Sequence, residues 1–379
     1  MSAHGWLGLL FAAAAACGGA TEPGGSADGG MTGDGGGSGG GDAPRADADP
    51  GGVPMVVAIG KIGRITRSCD GGQTWTFNRS DDDGASCVGI DCDHHAGSST
   101  GLTAGDGTIY ASYGWGDHPA RILRSDDGAT WDTVYDQRGF SFAGVAWAGD
   151  RLIGGDVTPR RSMDRGATFT ASDWPAYDKP EAVWPNARRV AYTGAAGGRI
   201  ALLSSSGDWA DTTISADGGA TFVHPTTLPA ACRDRGIVGM ATGASAWVHL
   251  WGPGGALCRS TDGGDTWQVA HTVPGAGELA GPVFDGRGFV AYRDDRGWRS
   301  DDGGATWTEF ASTHPVGVVA ADPATGAFVM VRNPWPGDPA LQRFYTSSDG
   351  ATWTELPATA FVASHPITHV AFVRAAGGC

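Results

Sequence analysis

The chain has 379 residues, 64 of them glycine, and a hydrophobic fraction of 41%, a composition that favours a turn-rich all-β protein over a helical one. Its formal net charge is −15, from 26 Lys and Arg against 41 Asp and Glu, and this acidity argues against nucleic acid or an anionic membrane surface as a partner. The length would allow two domains, but one large domain would use most of it.

Residues 1–16 have the pattern of an export signal. The apolar run at 6–16 is too short to span a bilayer as a mature helix. The segment AAAC at 14–17 resembles a bacterial lipobox, in which the cysteine, here Cys17, becomes diacylated after cleavage. The alternative is a plain secretory signal cut near Ala16. We therefore expect an exported lipoprotein of the cell envelope, at the outer membrane or cell surface, or alternatively a secreted protein.

Residues 17–52 form a tether rich in Gly, Ser and Asp, with almost no apolar side chains. Such a segment cannot build a core and is predicted to be a disordered, solvated leash. A flexible linker of this kind would hold a globular domain, the head, at a distance from a membrane. The head is predicted to occupy residues 53–379.

The head repeats one short segment seven times, and we call these copies the repeat turns. In order they read SCDGGQTW at 68–75, SDDGATW at 125–131, SMDRGATF at 162–169, SADGGATF at 215–222, STDGGDTW at 260–267, SDDGGATW at 300–307 and SSDGATW at 347–353. Successive copies start 37 to 57 residues apart, with a mean of 46.5. This spacing matches the 40–50 residues of one blade of a repeat protein.

Each repeat turn is predicted to be a hairpin turn between two strands. Glycine supplies the positive φ that tight turns need, and an Asp side chain can accept hydrogen bonds from backbone N–H groups further along the turn. The aromatic residue that ends the segment has a large apolar body to bury. We interpret the seven aspartates as structural rather than catalytic or metal-binding: Asp70, Asp127, Asp164, Asp217, Asp262, Asp302 and Asp349.

These segments resemble the Asp-box (BNR) repeat of sialidases, sortilin-type receptor ectodomains, xyloglucan-degrading glycosidases and photosystem II assembly factors. The resemblance covers residues from about 53 to 379. It implies a β-propeller in which the repeat joins the third and fourth strands of a blade, on the face away from the usual binding site. The Arg-Ile-Pro signature of sialidases is absent, since the chain reads GRIT at 63–66, and this departure argues against sialidase activity.

The apolar runs between repeat turns predict four short strands per unit. Only two strands fit before the first repeat turn, at 55–59 and 64–68, and only one fits after the last, at 367–373. We therefore predict an all-β, seven-bladed β-propeller of four-stranded antiparallel blades. Its first blade would be closed by three strands from one end of the head and one from the other, which removes exposed sheet edges.

Six cysteines follow Cys17, and an even number in an exported protein suggests disulfides with 15 possible connectivities. In the propeller frame Cys69 and Cys379 reach the same face. Cys87 and Cys92 share a loop on the other face, and Cys232 and Cys258 share a blade. The segment DCDHH at 91–95 carries two His and two Asp, but we interpret it as a solvated loop held by Cys87 and Cys92. No metal or cofactor is predicted.

The loops opposite the repeat turns are the expected binding surface. They carry aromatic and acidic residues that could form sugar-stacking platforms with polar anchors: Trp115, Asp117, Trp174, Trp184, Trp209 and Trp335. Packing over the blade ends is the alternative role for any one of these tryptophans.

The sequence thus predicts a monomeric, non-catalytic module that binds a protein or carbohydrate ligand and contacts membranes only through its lipid anchor. A secreted glycoside hydrolase, sialidase-like or using two aspartates, is the first alternative. An assembly or scaffold factor is the second.

Overall fold

A computed structural model of the protein describes residues 53–61, 63–79, 99–113, 120–137, 142, 144–155, 158–175, 189–196, 198–206, 209–233, 237–243, 245–252, 254–277, 279–332, 342–357 and 367–379. The export signal, Cys17 and the tether lie outside these residues and stay predictions. The described residues contain no helix long and apolar enough to cross a bilayer.

The described strands form antiparallel sheets, which we number in chain order by their repeat turns. Sheet 1 contains β1 (Val53–Gly60), β2 (Ile65–Ser68), β3 (Phe77–Arg79) and the last strand, β27 (Ile367–Ala375). Sheet 2 contains β4 (Ser99–Gly105), β5 (Thr108–Tyr113), β6 (Ala120–Ser125) and β7 (Asp132–Gln137). Sheet 3 contains β8 (Gly144–Trp147), β9 (Leu152–Gly155), β10 (Pro159–Ser162) and β11 (Thr170–Ala171).

The second half of the ring follows the same pattern. Sheet 4 contains β12 (Arg189–Ala196), β13 (Arg199–Ser206) and β14 (Trp209–Ser215), and a short 3₁₀ helix follows at Ala230–Cys232. Sheet 5 contains β15 (Ile237–Thr242), β16 (Trp247–Trp251), β17 (Ala256–Ser260) and β18 (Gln268–Thr272). Sheet 6 contains β19 (Leu279–Phe284), β20 (Phe289–Arg293), β21 (Arg296–Ser300) and β22 (Thr308–Ala311). Sheet 7 contains β23 (Val318–Ala321), β24 (Phe328–Arg332), β25 (Arg343–Ser347) and β26 (Thr354–Glu355).

The prediction of seven four-stranded blades is wrong. The described residues form six complete four-stranded blades, not seven, because sheet 4 has three strands. After the fourth repeat turn the single contact with sheet 4 by a β-bridge is that of Val223 with Ile214, among the residues described. Pro225 and Pro229 follow, and proline has no backbone N–H to give to a sheet. The segment instead crosses to sheet 5, where Thr227 makes a parallel bridge to Thr266.

The outer edge of β14 is partly capped by a side chain. The backbone N–H of Thr212 donates to Asp211 Oδ1 at 2.9 Å, and both residues are buried. A buried backbone donor without a partner would cost free energy. The Asp211 carboxylate thus supplies an acceptor on the strand that lacks an outer neighbour.

The ring closes through the two ends of the head, as predicted. β27 pairs with β1 in antiparallel register from Val53 opposite Ala375 to Gly60 opposite Ile367. The innermost strands, β27, β4, β8, β12, β15, β19 and β23, contact one another in cyclic order. The sheet edge that an open stack would expose is therefore covered.

The hydrophobic core lies between neighbouring sheets rather than at a single centre. One cluster, for example, joins Met55 and Val57 of sheet 1 to Leu102 and Ile109 of sheet 2. Similar clusters fill the other gaps around the ring. Each sheet is thus stabilised by burial against both neighbours.

Strand direction separates the two faces of the ring. Six of the repeat turns join the third and fourth strands of their sheets, and the remaining one follows the third strand of sheet 4. All seven lie on one face, which we call the repeat-turn face. The ends of the second and fourth strands, from which the chain continues to the third strand or to the next sheet, lie on the opposite face, which we call the loop face.

Candidate functional site

The repeat turns are held by a network of hydrogen bonds centred on the aspartate. In the sixth copy, Ser300 Oγ donates to Asp302 Oδ1 at 2.8 Å and accepts from Gly304 N–H at 2.8 Å. The backbone N–H and the hydroxyl of Thr306 donate to Asp302 at 2.9 and 2.6 Å. A Cβ on Gly304, where φ is +84°, would lie 2.7 Å from Val248 Cγ2, which explains why glycine stands there.

The same contacts recur in all seven copies. Every repeat-turn aspartate accepts from the serine at the start of the segment and from the threonine near its end. In five of these carboxyls partial burial is the largest influence on the pKa, and by itself it would raise the value. The hydrogen bonds together lower the pKa by more than burial raises it. In Asp217 and Asp302 a hydrogen bond from the threonine is itself the largest influence. All seven pKa values are therefore lowered, and the carboxylates are committed to the turns.

Donors from a neighbouring sheet fix several repeat turns in place. Arg259 Nε of sheet 5 donates to Gly303 O of sheet 6 at 2.6 Å, and Arg199 Nε of sheet 4 donates to Gly263 O of sheet 5 at 3.0 Å. Tyr292 OH does the same for Gly350 O at 2.9 Å. These contacts were not predicted from the sequence, although an arginine stands directly before the first serine of a repeat turn, as at Arg259.

A groove of about 540 Å³ lies on the repeat-turn face between the sixth and seventh copies. Its lining is Arg299, Asp301, Asp302, Thr306, Thr308, Phe310, Asp349 and Ala351. The guanidinium of Arg299 is already engaged, at 2.9 Å from buried Asp285 and 2.6 Å from Asp301. Asp302 and Asp349 are held by their own turns, so most of the polar groups of the groove have structural partners.

Most of the predicted ligand-binding residues lie outside the described residues. These are Trp115, Asp117, Trp184 and Trp335. Trp209 begins β14. Their role in binding therefore stays a prediction.

Trp174 is described, and it is partly buried against the core. It lies against the cluster of Ile153, Ile200 and Phe222 between sheets 3 and 4. Its indole N–H donates to Thr213 Oγ1 at 3.1 Å. These contacts of Trp174 are those expected of a tryptophan that packs over the blade ends. They do not test whether Trp174 also contacts a ligand.

The loop-side ends of sheets 7, 1 and 2 bring together buried polar side chains that the sequence did not single out. Arg64 is 0% exposed and donates through Nη1 to Gln342 Oε1 at 2.6 Å. Burial lowers the pKa of Arg64 to about 10, so the guanidinium remains charged at neutral pH. Tyr113 OH donates to Arg64 O at 3.1 Å and fixes the same turn.

A second polar cluster joins the first residues of β27 and β4. Thr368 Oγ1 lies 2.9 Å from His369 Nδ1 and is hydrogen-bonded to Ser99 Oγ. His369 is 3% exposed, and burial lowers its pKa to about 4. The imidazole is therefore neutral at pH 7. The hydroxyl groups of Ser99 and Thr368 lie beside its Nδ1 atom, and a hydroxyl can either donate or accept a hydrogen bond. Thr368 is the partly exposed member of the cluster.

The structure contains two of the predicted disulfides. Cys69–Cys379 has a Cα–Cα distance of 5.6 Å and Cys232–Cys258 one of 6.0 Å. Cys87 and Cys92, with the DCDHH segment at 91–95, lie outside the described residues. Within the described part of the chain, no three His, Cys, Asp or Glu side chains are grouped so that they could hold a metal ion.

No protein-family model matches the chain. It is similar to a xyloglucanase of Paenibacillus sp., with 30% identity over 158 residues, a match that covers 33% of this chain and only 15% of that enzyme. Its structure is similar to the GH74 xyloglucanase from Xanthomonas campestris, with a TM-score of 0.53 and 19% identity over 85% of this chain and 52% of that one. It is also similar to YCF48 from Cyanidioschyzon merolae, with a TM-score of 0.50 and 14% identity over 70% of this chain and 87% of that one. At these identities the solved structures show the fold, and by fold the chain is a β-propeller.

Proposed function

We propose that the protein is an exported, lipid-anchored propeller that binds a protein or carbohydrate ligand through its loop face. The observation that carries the proposal is the group of buried polar side chains at the loop-side ends of sheets 7, 1 and 2. Arg64, Gln342, Ser99 and His369 are fixed there by hydrogen bonds. These side chains are buried, so they shape the surface around the partly exposed Thr368 rather than contact a ligand themselves.

The repeat-turn face supports the proposal by contrast. Its aspartates hold their own turns, and several of its arginines hold neighbouring turns. We propose that these turns are Asp-box repeats with a structural role, as the resemblance implies. Ligand contact is then left to the loop face, where the residues of one repeat differ from those of the next.

Glycoside hydrolysis is the second candidate function, and the partial match to a xyloglucanase favours it. Two opposed carboxylates about 5–9 Å apart would be required. Asp117 and Asp208 are the aspartates to test first, because both lie in loop-face connections of the sequence. An assembly role is the third candidate, and the fold shared with YCF48 is compatible with it.

The test is a binding screen of the full-length mature protein against glycans and envelope proteins, with release of reducing ends followed in parallel. We expect Trp115→Ala and Trp335→Ala to abolish capture of the ligand while the melting temperature stays unchanged. Asp106→Asn, in an exposed ion pair with Arg165 on the repeat-turn face, is the matched control and should leave binding intact. Binding that survives both tryptophan variants would contradict a loop-face site.

The enzyme alternative predicts a different result from the same screen. Asp117→Asn or Asp208→Asn would then stop reducing-end release while binding stayed nearly intact. Release that depends on either aspartate would replace the non-catalytic proposal with a hydrolase.

A further inference from the structure

The two disulfides of the described residues differ sharply in their access to solvent. Cys232 and Cys258 are both 0% exposed, inside the core cluster between sheets 4 and 5. Cys69 is partly exposed in the first repeat turn, and Cys379 is exposed. Since a thiolate must reach a sulfur atom to exchange with it, access strongly affects the rate of reduction.

The surroundings of the exposed disulfide are open on both sides. A Cβ added to Gly71 or to Gly378 would meet no atom within 4 Å. The space beside these two glycines, which lie near the bond in sequence, is therefore open among the described residues. The buried pair has no such opening, because Met240, Trp247 and Trp267 pack in its cluster.

The exposed disulfide holds a short segment, residues 376–379, that we call the strap. The strap leaves β27 and crosses to sheet 2, where Ala376 N–H donates to Gly107 O at 2.8 Å and Gly377 N–H donates to Asp126 O at 2.7 Å. Those two bonds and the disulfide hold the strap across the repeat-turn face. The ring itself is closed separately by the pairing of β27 with β1.

From these observations we propose that Cys69–Cys379 is a thiol–disulfide exchange site whose reduction by a dithiol frees the strap and leaves the ring closed. The attacking thiolate bonds to Sγ of Cys379, the more exposed of the two residues, and displaces the Cys69 thiolate, which takes up a proton. The second thiol of the reductant then attacks the mixed disulfide and releases the Cys379 thiol. The dithiol is oxidised to its disulfide by two electrons, and the two cysteines are reduced by the same two.

The charge near the site indicates which thiols react fastest. Asp70 follows Cys69 directly and is exposed, and a Cβ on Gly377 would lie 3.0 Å from Asp127 Cβ. A negatively charged thiol such as glutathione is repelled there, whereas cationic cysteamine is attracted. The site therefore takes neutral or cationic thiols in preference to anionic ones.

The experiment treats the full-length protein with dithiothreitol under native conditions, alkylates at intervals, and measures each cysteine peptide by mass spectrometry. We expect Cys69 and Cys379 to be alkylated at least about tenfold faster than Cys232 and Cys258, because exchange needs access. Equal rates, or earlier opening of the buried pair, would overturn the proposal. Initial rates with cysteamine should exceed those with glutathione, and the reverse order would overturn the assigned thiol class.

Hydrogen exchange then separates a freed strap from an opened ring. After reduction, the amides of Ala376 and Gly377 should lose protection while those of Val370 and Ala371 in β27 keep it. The double variant Cys69→Ser, Cys379→Ser should reproduce this pattern without reductant, and the variant Cys232→Ala, Cys258→Ala is the matched control. Loss of protection in β27, by either route, would show that the disulfide closes the ring and would refute the proposal.

Discussion

Replacing Trp353 by alanine should destabilise the protein far more than the same change at Trp307, although the two residues end neighbouring copies of the same repeat. Trp353 is 4% exposed and packs with Tyr292 and Phe328 between sheets 6 and 7. Its indole N–H donates to Ser312 Oγ at 3.1 Å. Trp307 is only partly buried, and its indole N–H reaches Gly304 O at 3.1 Å within its own turn.

The magnitudes follow from burial. Truncation of a fully buried tryptophan leaves a cavity and costs about 3–5 kcal/mol. At Trp353 a buried hydroxyl also loses a donor, which adds about 1 kcal/mol. At Trp307 water already contacts part of the ring, and the freed carbonyl can be hydrated, so we expect about 1–2 kcal/mol.

Urea unfolding followed by circular dichroism measures both variants, with the free energy taken at equal m-value. Trp353→Phe keeps most of the ring and removes the N–H, so its loss should fall between those of the two alanine variants. If Trp307→Ala lost as much stability as Trp353→Ala, the reasoning from burial would be refuted. Seven equivalent aromatic positions would then be the better description of the ring.

Three further predictions concern other parts of the molecule. Burial lowers the pKa of His369 from an ordinary 6.5 to about 4. The neutral, buried imidazole therefore contributes stability that is complete above pH 6.5 and is lost as the pH falls towards 4. The loss in free energy of unfolding is about 3 kcal/mol. Urea titrations from pH 7 to 4 should show this loss in the wild type and a smaller one in His369→Gln. An equal dependence of the unfolding free energy on pH in the two proteins would contradict the prediction. Removing the Cys69–Cys379 bond, which spans 310 residues, should cost on the order of 5 kcal/mol by chain entropy, and an unchanged unfolding midpoint would contradict the predicted cost. Cys17→Ser should abolish metabolic labelling with a fatty acid, and a wild type that is never labelled would favour a plain secretory signal.

The repeat turns were predictable from sequence because their physics is local. The serine, the aspartate, the glycine and the threonine that hold each turn lie within eight residues of one another, as in 300–307. Ring closure was predictable by counting, since only one strand fitted after the last repeat turn. The frame that followed also brought Cys69 near Cys379.

Sheet 4 shows where counting failed. The spacing of 45 residues between its repeat turn and the next was close to the mean of 46.5 and suggested a full blade. The strand is lost because Pro225 and Pro229 occupy the segment that should pair, and of the described residues in that segment Val223 alone bridges to sheet 4. The prolines were visible in the sequence, but a prediction made from the spacing of the repeats does not take account of single residues that interrupt a strand.

The polar clusters of the loop face could not be predicted from sequence. Arg64 and Gln342 are 278 positions apart, and Ser99 and His369 are 270 apart. No local pattern marks any of them, because their proximity follows from the closing of the ring. The repeat also concealed differences in burial, since Trp267 and Trp353 are buried whereas Trp75 and Trp131 are only partly so.

The structural roles of many of its aspartates explain part of the acidity of the protein. Seven of its 41 acidic residues are repeat-turn aspartates that accept hydrogen bonds from their own turns. Asp285 and Asp211 are buried as well, one against Arg299 and one capping β14. A net charge of −15 therefore reflects in part the requirements of turns and edges. It gives no reason to expect a cationic ligand, and on our proposal the chemistry of the ligand is to be argued from the loop face.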